Sequence, residues 1–423
     1  MPFNLVIGSR CNKACDYCFT RGLERGASNW MPLPVVDRLC GMLADAGVNY
    51  AGVTGGEPTL HPQFGRIAEA ILSYGLDIHL KSNGIWPDSI ERLVSEIDPQ
   101  RISFLLGVLP REDYRAKEWE KLRSILRRIP SAKCTLGITI LSPMFCFDHI
   151  VDLASEFGIG QVRWALAHPS TNDRNTPNSS VSISDYALYA DRLVDMSEAL
   201  FAVGARTVGD HSSILCMWNV EQERRLDLIG STQITTCEPT VDFLPDGKAA
   251  YCLPLAGLFS LDANSYDSLD MVVAYFDKIS RALRSCKLPF SQCETCESYP
   301  GICHGGCFAH KSLENATAYT NSWTTQSDSN RVLELRHDLE VRRQNQDRCY
   351  LTMVTEKGRK EAEFIATEDY HRLLQYFDGN TTIGEIQSRI MADCRLSKEE
   401  TTKILDKFLL ISWSYETLAE YQN

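Results

Sequence analysis

Three cysteines near the start of the chain, Cys11, Cys15 and Cys18 in CNKACDYC, are separated by three and then two residues. Zinc and ordinary cubane iron–sulfur sites take four protein ligands. Three thiolates can hold three irons of a [4Fe–4S] cluster and leave the fourth iron open to an outside ligand, which makes a reaction site rather than a wire. The competing reading is a zinc site completed by a distant residue, which would normally use a paired two-residue spacing twice.

A second field lies two hundred residues on. CEPTVDFLPDGKAAYC puts nine residues between Cys237 and Gly247 and four more before Cys252. The glycine suits a tight hairpin that returns the second thiolate beside the first. CETCESYPGICHGGC then supplies Cys293, Cys296, Cys303 and Cys307, with Gly305 and Gly306 allowing a sharp bend before the last. Cys293-x2-Cys296 is a natural bidentate turn for a metal, and a zinc ribbon is open here as well. Cys286 could be ligand or core, and the scattered Cys40, Cys134, Cys146 and Cys394 read as small core hydrophobes.

Composition sets the surroundings. The chain has 423 residues, 16 of them cysteine, and a net charge of −12, which argues against a nucleic-acid or anionic-membrane partner. The N-terminus MPFNLVIGSR has no basic segment and no long apolar run, and no stretch approaches the ~18 apolar residues of a membrane span. A cytoplasmic, reducing location is the expectation; there, clustered cysteines read as metal ligands rather than disulfides.

The elements that must position these thiols alternate regularly over the first two hundred residues. Strand-like runs occur at 3–8, 48–54, 76–83, 101–108, 134–141 and 161–168. Helical periodicities lie between them: Val36, Leu39, Cys40 and Leu43; then Ile90, Leu93, Val94 and Ile97; then Leu122, Ile125, Leu126 and Ile129. Gly47 and Gly75 end helices, and Ser184 is placed to cap a last one running on Tyr186, Tyr189, Leu193 and Met196. Six β/α units predict an α/β fold, a partial (β/α)6 barrel of TIM type over 1–225. Residues 226–348 read as an irregular cysteine-rich region, with a polar loop at 315–330 and a charged helix on Val332, Leu335, Leu339 and Val341. Residues 349–423 read as a small winged-helix-like α+β domain. It has strands at 349–356 and 361–368 and three helices, two opened by the capping boxes Thr382–Glu385 and Ser397–Glu400.

C-x3-C-x-aromatic-C in the loop after a first strand resembles the radical SAM superfamily. The resemblance implies that Cys11, Cys15 and Cys18 hold a [4Fe–4S] cluster and that its open iron chelates S-adenosylmethionine. Reductive cleavage would then give a hydrogen-abstracting 5′-deoxyadenosyl radical, with an electron from a flavodoxin or ferredoxin. Tyr17 would lie near the adenine. TGGEP after strand two resembles the family's GGEP: Gly55, Gly56 and Pro58 shape a close backbone approach, and Glu57 can accept from the ligand's ammonium. Ser82 and Asn83 of SNG stand where the family contacts the ribose. Ser103 carries over from a strand-four motif whose acidic residue is here Leu105.

The second field resembles the SPASM extension, which carries two auxiliary [4Fe–4S] clusters. Cys237, Cys252 and Cys307 match the first cluster, and Cys293, Cys296 and Cys303 match three ligands of the second, with Cys349 as the distant fourth. Where the first cluster's other ligand commonly sits, this chain has Ser231, so Cys216 could substitute or the cluster could be open. Residues 349–423 hold nine Lys/Arg and thirteen Asp/Glu, which opposes the DNA-binding reading of a winged helix. Leu373 to Ile390 resembles PqqD-like domains, which implies docking of a precursor-peptide leader as an added strand. The expected function is a radical SAM maturase that oxidatively crosslinks a ribosomally made peptide. Oxidation of a protein side chain, as in sulfatase maturation, or of a small molecule is the second reading. A non-catalytic zinc and peptide-binding scaffold is the third.

Overall fold

The computed structural model describes residues 2–20, 30–172, 178–238, 240–285, 289–310, 332–335, 339–345, 348–355, 358–364, 378–394 and 418–420, with residues 373, 376, 397, 398, 401 and 405 singly. The chain divides into two compact units. One comprises Met1–Ala263, Ser268–Asp270 and Leu288–His310, and the other holds Asn264–Asp267, Met271–Lys287 and Lys311–Asn423.

The first unit is an α/β fold around one open sheet. Its parallel strands are β1 Phe3–Val6, β2 Tyr50–Thr54, β3 Asp77–Ser82, β4 Ile102–Gly107, β5 Cys134–Ile140, β6 Gln161–Leu166 and β7 Arg206–Gly209, adjacent in that order. On the other side of β1 lies β8 Val241–Phe243, also parallel to it, with Phe3 opposite Val241. β9 Ala249–Ala250 and β10 Ser260–Leu261 continue antiparallel. Helices α1 Leu33–Asp45, α2 Phe64–Ser73, α3 Asp88–Glu96, α4 Ala116–Arg128, α5 Asp148–Phe157, α6 Ala190–Ala202 and α7 Val220–Leu228 alternate with the strands. Successive parallel strands joined by helices give the partial barrel expected.

The apolar periodicities bury as their spacing requires. Val36, Leu39, Cys40 and Leu43 are wholly enclosed, and so are Leu122, Ile125 and Leu126. On β3 and β5 alternate residues are buried, so the other half of each strand faces the less crowded side. Gly47 and Gly75 do take left-handed backbone just after their helices, with φ of 72° and 80°.

Four expectations need correction. A seventh parallel strand, β7, follows the sixth; its RTVG is too short and polar to read as one. The helix expected from Ser184 begins as a 3₁₀ turn at Ile183, which makes Ser182 the capping position and puts Ser184 inside the turn. Cys146 is exposed rather than core, whereas Cys40 and Cys134 are buried as read. The region read as irregular contains a helix, α8 Leu269–Ser285, with the stripe Val272, Phe276, Ile279 and Leu283 buried.

In the second unit the segment read as a charged helix is two strands, β11 Val332–Leu335 and β12 Leu339–Asn345. Leu339, Val341 and Arg343 alternate with Glu340 and Arg342, and this period of two prevails because β12 pairs antiparallel with β13 Arg348–Thr355. β13 pairs in turn with β14 Gly358–Phe364, the hairpin foreseen around Gly358. β15 Asp378–Thr382 and β16 Leu418–Glu420 flank β11 in a second antiparallel sheet. Helix α9 Ile383–Cys394 opens on the expected capping box: Glu385 Oε2 accepts from the Thr382 amide at 2.9 Å, and the Glu385 amide donates back to Thr382 Oγ1 at 3.3 Å. The polar stretch 315–330, Cys286 and Glu400 lie outside the described residues.

Candidate active site

The Cys11–Cys18 loop leaves the C-terminal end of β1, where parallel barrels carry their chemistry. It has almost no regular structure, so side chains from elsewhere fix it. Lys13 Nζ donates to Glu118 Oε2 at 2.8 Å and to the Asp113 carbonyl at 3.2 Å. Asn12 donates to the Ile85 carbonyl at 2.9 Å and accepts from Asn83 at 2.7 Å. Asn178 holds the Tyr17 carbonyl at 3.0 Å, and Asn172 holds that of Phe19 at 2.6 Å. These asparagines and Lys13 gave no signal in the sequence, because a single amide or ammonium in a loop looks like any other.

The three thiols stand within electrostatic reach of one another. Burial pushes Cys15 up to about 11 and raises Cys11. The lone Tyr17 hydroxyl bonds toward Cys15, and burial raises it as well. Tyr17 and Cys15 line a cavity of about 600 Å³ with Val108, Leu109, Ile138 and Ile140 from the ends of β4 and β5. Lys13, Asp16, Glu112 and Asp113 line it as well, and a cavity of that volume with apolar walls and polar groups beside them suits a nucleoside.

TGGEP is pressed against the start of the cysteine loop. A Cβ on Gly55 would stand 2.3 Å from the Gly8 carbonyl oxygen, and one on Gly56 would stand 2.4 Å from that of Arg10. Only glycine permits the bonds seen there, from the Gly56 amide to Gly8 and from the Glu57 amide to Arg10, at 2.9 and 2.8 Å. The glycines therefore serve contact between two loops. Pro58 opens a short 3₁₀ turn after them.

Glu57 is 1% exposed, and burial raises its carboxyl above the usual range. Oε1 accepts from Thr59 Oγ1 at 2.6 Å, from Ser82 Oγ at 2.8 Å and from the Thr59 amide at 3.1 Å. Oε2 accepts from the Asn83 amide at 2.8 Å, which leaves it one lone pair for a ligand. Ser82 is fully engaged: it donates to Glu57 and accepts from the Gly84 amide and from Trp86 Nε1, at 3.1 and 2.6 Å. Asn83 reaches toward Cys11 Sγ at 3.7 Å. Ser103 shares a hydrogen bond of 2.9 Å with His79 Nδ1, away from the triad's loop.

Below the triad the barrel interior is a cavity of about 830 Å³. Thr54 and Phe19 line it toward the triad's end of the strands, while Cys237, Cys252 and Cys307 line it elsewhere. Asn172 Nδ2 donates to the carbonyls of both Phe19 and Leu253, at 2.6 and 2.9 Å, so the chain beside Cys252 approaches the chain beside Cys18. The hairpin expected around Gly247 forms, with φ of 80° at the glycine, and returns Cys252 toward Cys237. Gly305 and Gly306 also take left-handed backbone, at 71° and 83°, so that Cys307 turns in to share a hydrogen bond with Cys237. That neighbouring thiol and burial raise Cys307, and burial raises Cys252.

Ser231 takes no part in this trio; its hydroxyl lies 2.7 Å from Thr207 Oγ1 and accepts from Gln233 at 3.1 Å. Burial raises the Cys216 thiol, and the thiols of Cys303, Cys293 and Cys296 add to that. Cys349 is the second residue of β13, in the other compact unit.

Sequence reasoning missed the polar cavity wall. Asp242 on β8 is 3% exposed, accepts from Asn4 at 2.7 Å and from the Leu253 amide at 2.6 Å, and burial pushes it up to about 6. Lys81, Arg163 and Asp210 share the cavity, the last two as an ion pair. Beside it, Tyr186 lies within 3.0 Å of His168 and 2.9 Å of His310, and burial holds His310 down to about 4, so this network stays neutral.

Residues 5–109 match the Radical SAM superfamily. They form a radical SAM domain. The protein is an enzyme, which sets aside the non-catalytic scaffold. Similar curated proteins are a probable GTP 3',8-cyclase of Methanothermobacter thermautotrophicus, 29% identical over 27% of this chain and 38% of the relative. An S-adenosylmethionine-dependent nucleotide dehydratase of a Thermoplasmatales archaeon is 34% identical over 22% of this chain and 34% of the relative. The chain thus spans under half the length of these relatives.

Among solved structures, SuiB of Streptococcus suis bound to S-adenosylmethionine superposes with a TM-score of 0.55 at 16% identity, over 74% of each chain. Native anSMEcpe with bound AdoMet gives 0.53 at 17% identity, over 76% of this chain and 97% of that one. These likenesses extend the shared fold well beyond residue 109. Among the described residues no helix is long and apolar enough to cross a membrane.

Proposed function

We propose that this enzyme oxidatively modifies a ribosomally made precursor peptide, forming a C–C or C–S crosslink or a similar bond within its barrel. The observation that carries the reading is the pair of thiol trios, Cys11–Cys15–Cys18 and Cys237–Cys252–Cys307, with the second lining a cavity of about 830 Å³ whose wall reaches Thr54 and Phe19. Clusters held by these trios, with S-adenosylmethionine on the first, would supply a hydrogen-abstracting carbon radical and an electron acceptor.

The donor sets fit. Each trio is all thiolate, and the first is pinned at a barrel mouth with Asn83 and the Oε2 lone pair of Glu57 nearby. Among the described residues no three His, Cys, Asp or Glu side chains converge to hold a single metal ion, and a cubane cluster spreads its ligands more widely than one ion does. With Ser231 bonded elsewhere, Cys237, Cys252 and Cys307 are the thiols that would hold such a cluster.

Forming a crosslink removes two hydrogens from the peptide, one as an atom and the other as a proton and an electron. Asp242 lies in the cavity wall close to Cys252, placed to take that proton. Residues 349–423 would dock the leader by edge-strand pairing, the three-part division of the chain following the three tasks. SuiB bound to precursor peptide SuiA and anSMEcpe bound to the Kp18Cys peptide share the fold with TM-scores of 0.55 and 0.53, which supports a peptide over the nucleotides in the curated relatives' names.

The test is anaerobic reconstitution of wild type and of a triple alanine variant at Cys11, Cys15 and Cys18. Wild type should bind about twelve irons, as three cubane clusters would. The variant should keep about eight and make no 5′-deoxyadenosine. Continued cleavage by the variant would overturn the assignment, and about four irons in wild type would remove the auxiliary clusters.

A further inference from the structure

We infer that Cys216 supplies the fourth thiolate to the group formed by Cys293, Cys296 and Cys303. This rests on the auxiliary-cluster reading above and puts Cys216, which the sequence offered to the first cluster, in the place that the resemblance gave to Cys349. Three cysteines come from one short segment: the Cys296 amide donates to the Cys293 carbonyl at 3.4 Å, and Cys303 Sγ accepts from the Gly305 amide at 3.3 Å. A closed cubane needs one more thiolate, and a second segment must bring it.

Cys216 is held where that is possible. It is exposed in the middle of the 3₁₀ turn Leu215–Met217, while Ile214 and Met217 on either side are 5% and 3% exposed and anchor the turn. The Ser213 amide donates to the Ile234 carbonyl at 2.8 Å, and Thr235 then donates to the Ile302 carbonyl at 2.8 Å and accepts from the His304 amide at 2.9 Å. A Cβ on Gly306 would stand 3.4 Å from Ile214. The turn carrying Cys216 and the loop carrying Cys303 are thus tied through residues 234 and 235 and packed together at Gly306. Consistent with that placement, the thiols that act on Cys216 are Cys303, Cys293 and Cys296 in that order of effect, and none of the first trio. Cys349, by contrast, lies in a central strand paired with Arg343 on one edge and Phe364 on the other.

The full chain would be reconstituted anaerobically as wild type, Cys216→Ala, Cys349→Ala and the double variant Cys293→Ala, Cys296→Ala. Iron and sulfide per chain, electron paramagnetic resonance of the oxidised protein, and iodoacetamide labelling of Cys216 before and after iron removal are the readouts. Cys216→Ala should lose between about one and four irons and show the signal of a three-iron cluster, while Cys349→Ala keeps the wild-type content. In wild type, Cys216 should label only once iron has been stripped, a measurement that needs no substitution. Wild-type iron and spectrum in Cys216→Ala, or labelling of Cys216 in the loaded protein, would overturn the assignment and leave the auxiliary clusters standing. Unchanged iron in the double variant would overturn both.

Discussion

Asp242 meets three groups at once: the Asn4 amide, the Leu253 amide and the field of Lys81. Burial outweighs all of them and pushes its carboxyl up to about 6. Its proton is therefore held more tightly in the folded chain than in the unfolded one. The stability this group contributes is present at low pH and is lost as pH rises through about 6. Its capacity to accept a proton runs the other way. Peptide crosslinking should fall with unit slope below pH of about 6, while the amount of 5′-deoxyadenosine formed per enzyme does not follow it. Asp242→Asn should lower crosslinked product per 5′-deoxyadenosine by about 10²-fold, read by mass spectrometry. An unchanged ratio would remove Asp242 as the proton acceptor. Nothing in VDF singled this residue out, since its partner Asn4 lies 238 positions away. The cysteines were legible because their chemistry is rare and their spacing is local.

At the scale of elements, the two loops after β1 and β2 act as one piece. The close approach of Gly55 and Gly56 to Gly8 and Arg10 joins them, and Glu57 ties the pair to Ser82 and Asn83 beyond β3. Gly56→Ala would drive a methyl to 2.4 Å from the Arg10 carbonyl and force the loops apart. The sheet and helices do not depend on that contact. The variant should keep its far-ultraviolet circular dichroism, lose at least about 1 kcal/mol of stability and lose most S-adenosylmethionine cleavage. Wild-type cleavage would show that the loops tolerate separation. The six strands and their helices were legible because burial on one face imposes a period, whereas β7 was not, because RTVG shows too few alternations. The segment at 332–341 misled for a related reason. Val332, Leu335 and Leu339 fit a helix by spacing, but hydrogen bonding to β13 and to β15 and β16 is decided by segments far along the chain.

For the whole molecule, the loop that carries the triad is fixed by groups of the first compact unit, among them Asp113, Asn83, Asn178 and Ser179. Deleting the chain after Thr355 should leave idle cleavage of S-adenosylmethionine intact and weaken precursor binding by at least about tenfold, or 1.4 kcal/mol, in a titration. Iron content is measured alongside, because Cys349 is retained in that truncation. Unchanged affinity with full modification would favour the side-chain or small-molecule reading. The sequence by itself determined the ligand types, the β/α alternation and the family resemblance, because each rests on residues close together in the chain. Tertiary structure alone decided which remote groups meet. It set Asn4 against Asp242, drew Cys216 toward Cys303, and returned β8 parallel beside β1 so that Cys237, Cys252 and Cys307 line the same cavity as Phe19. Pairings of that kind follow from the register of the sheet, and no local spacing encodes them.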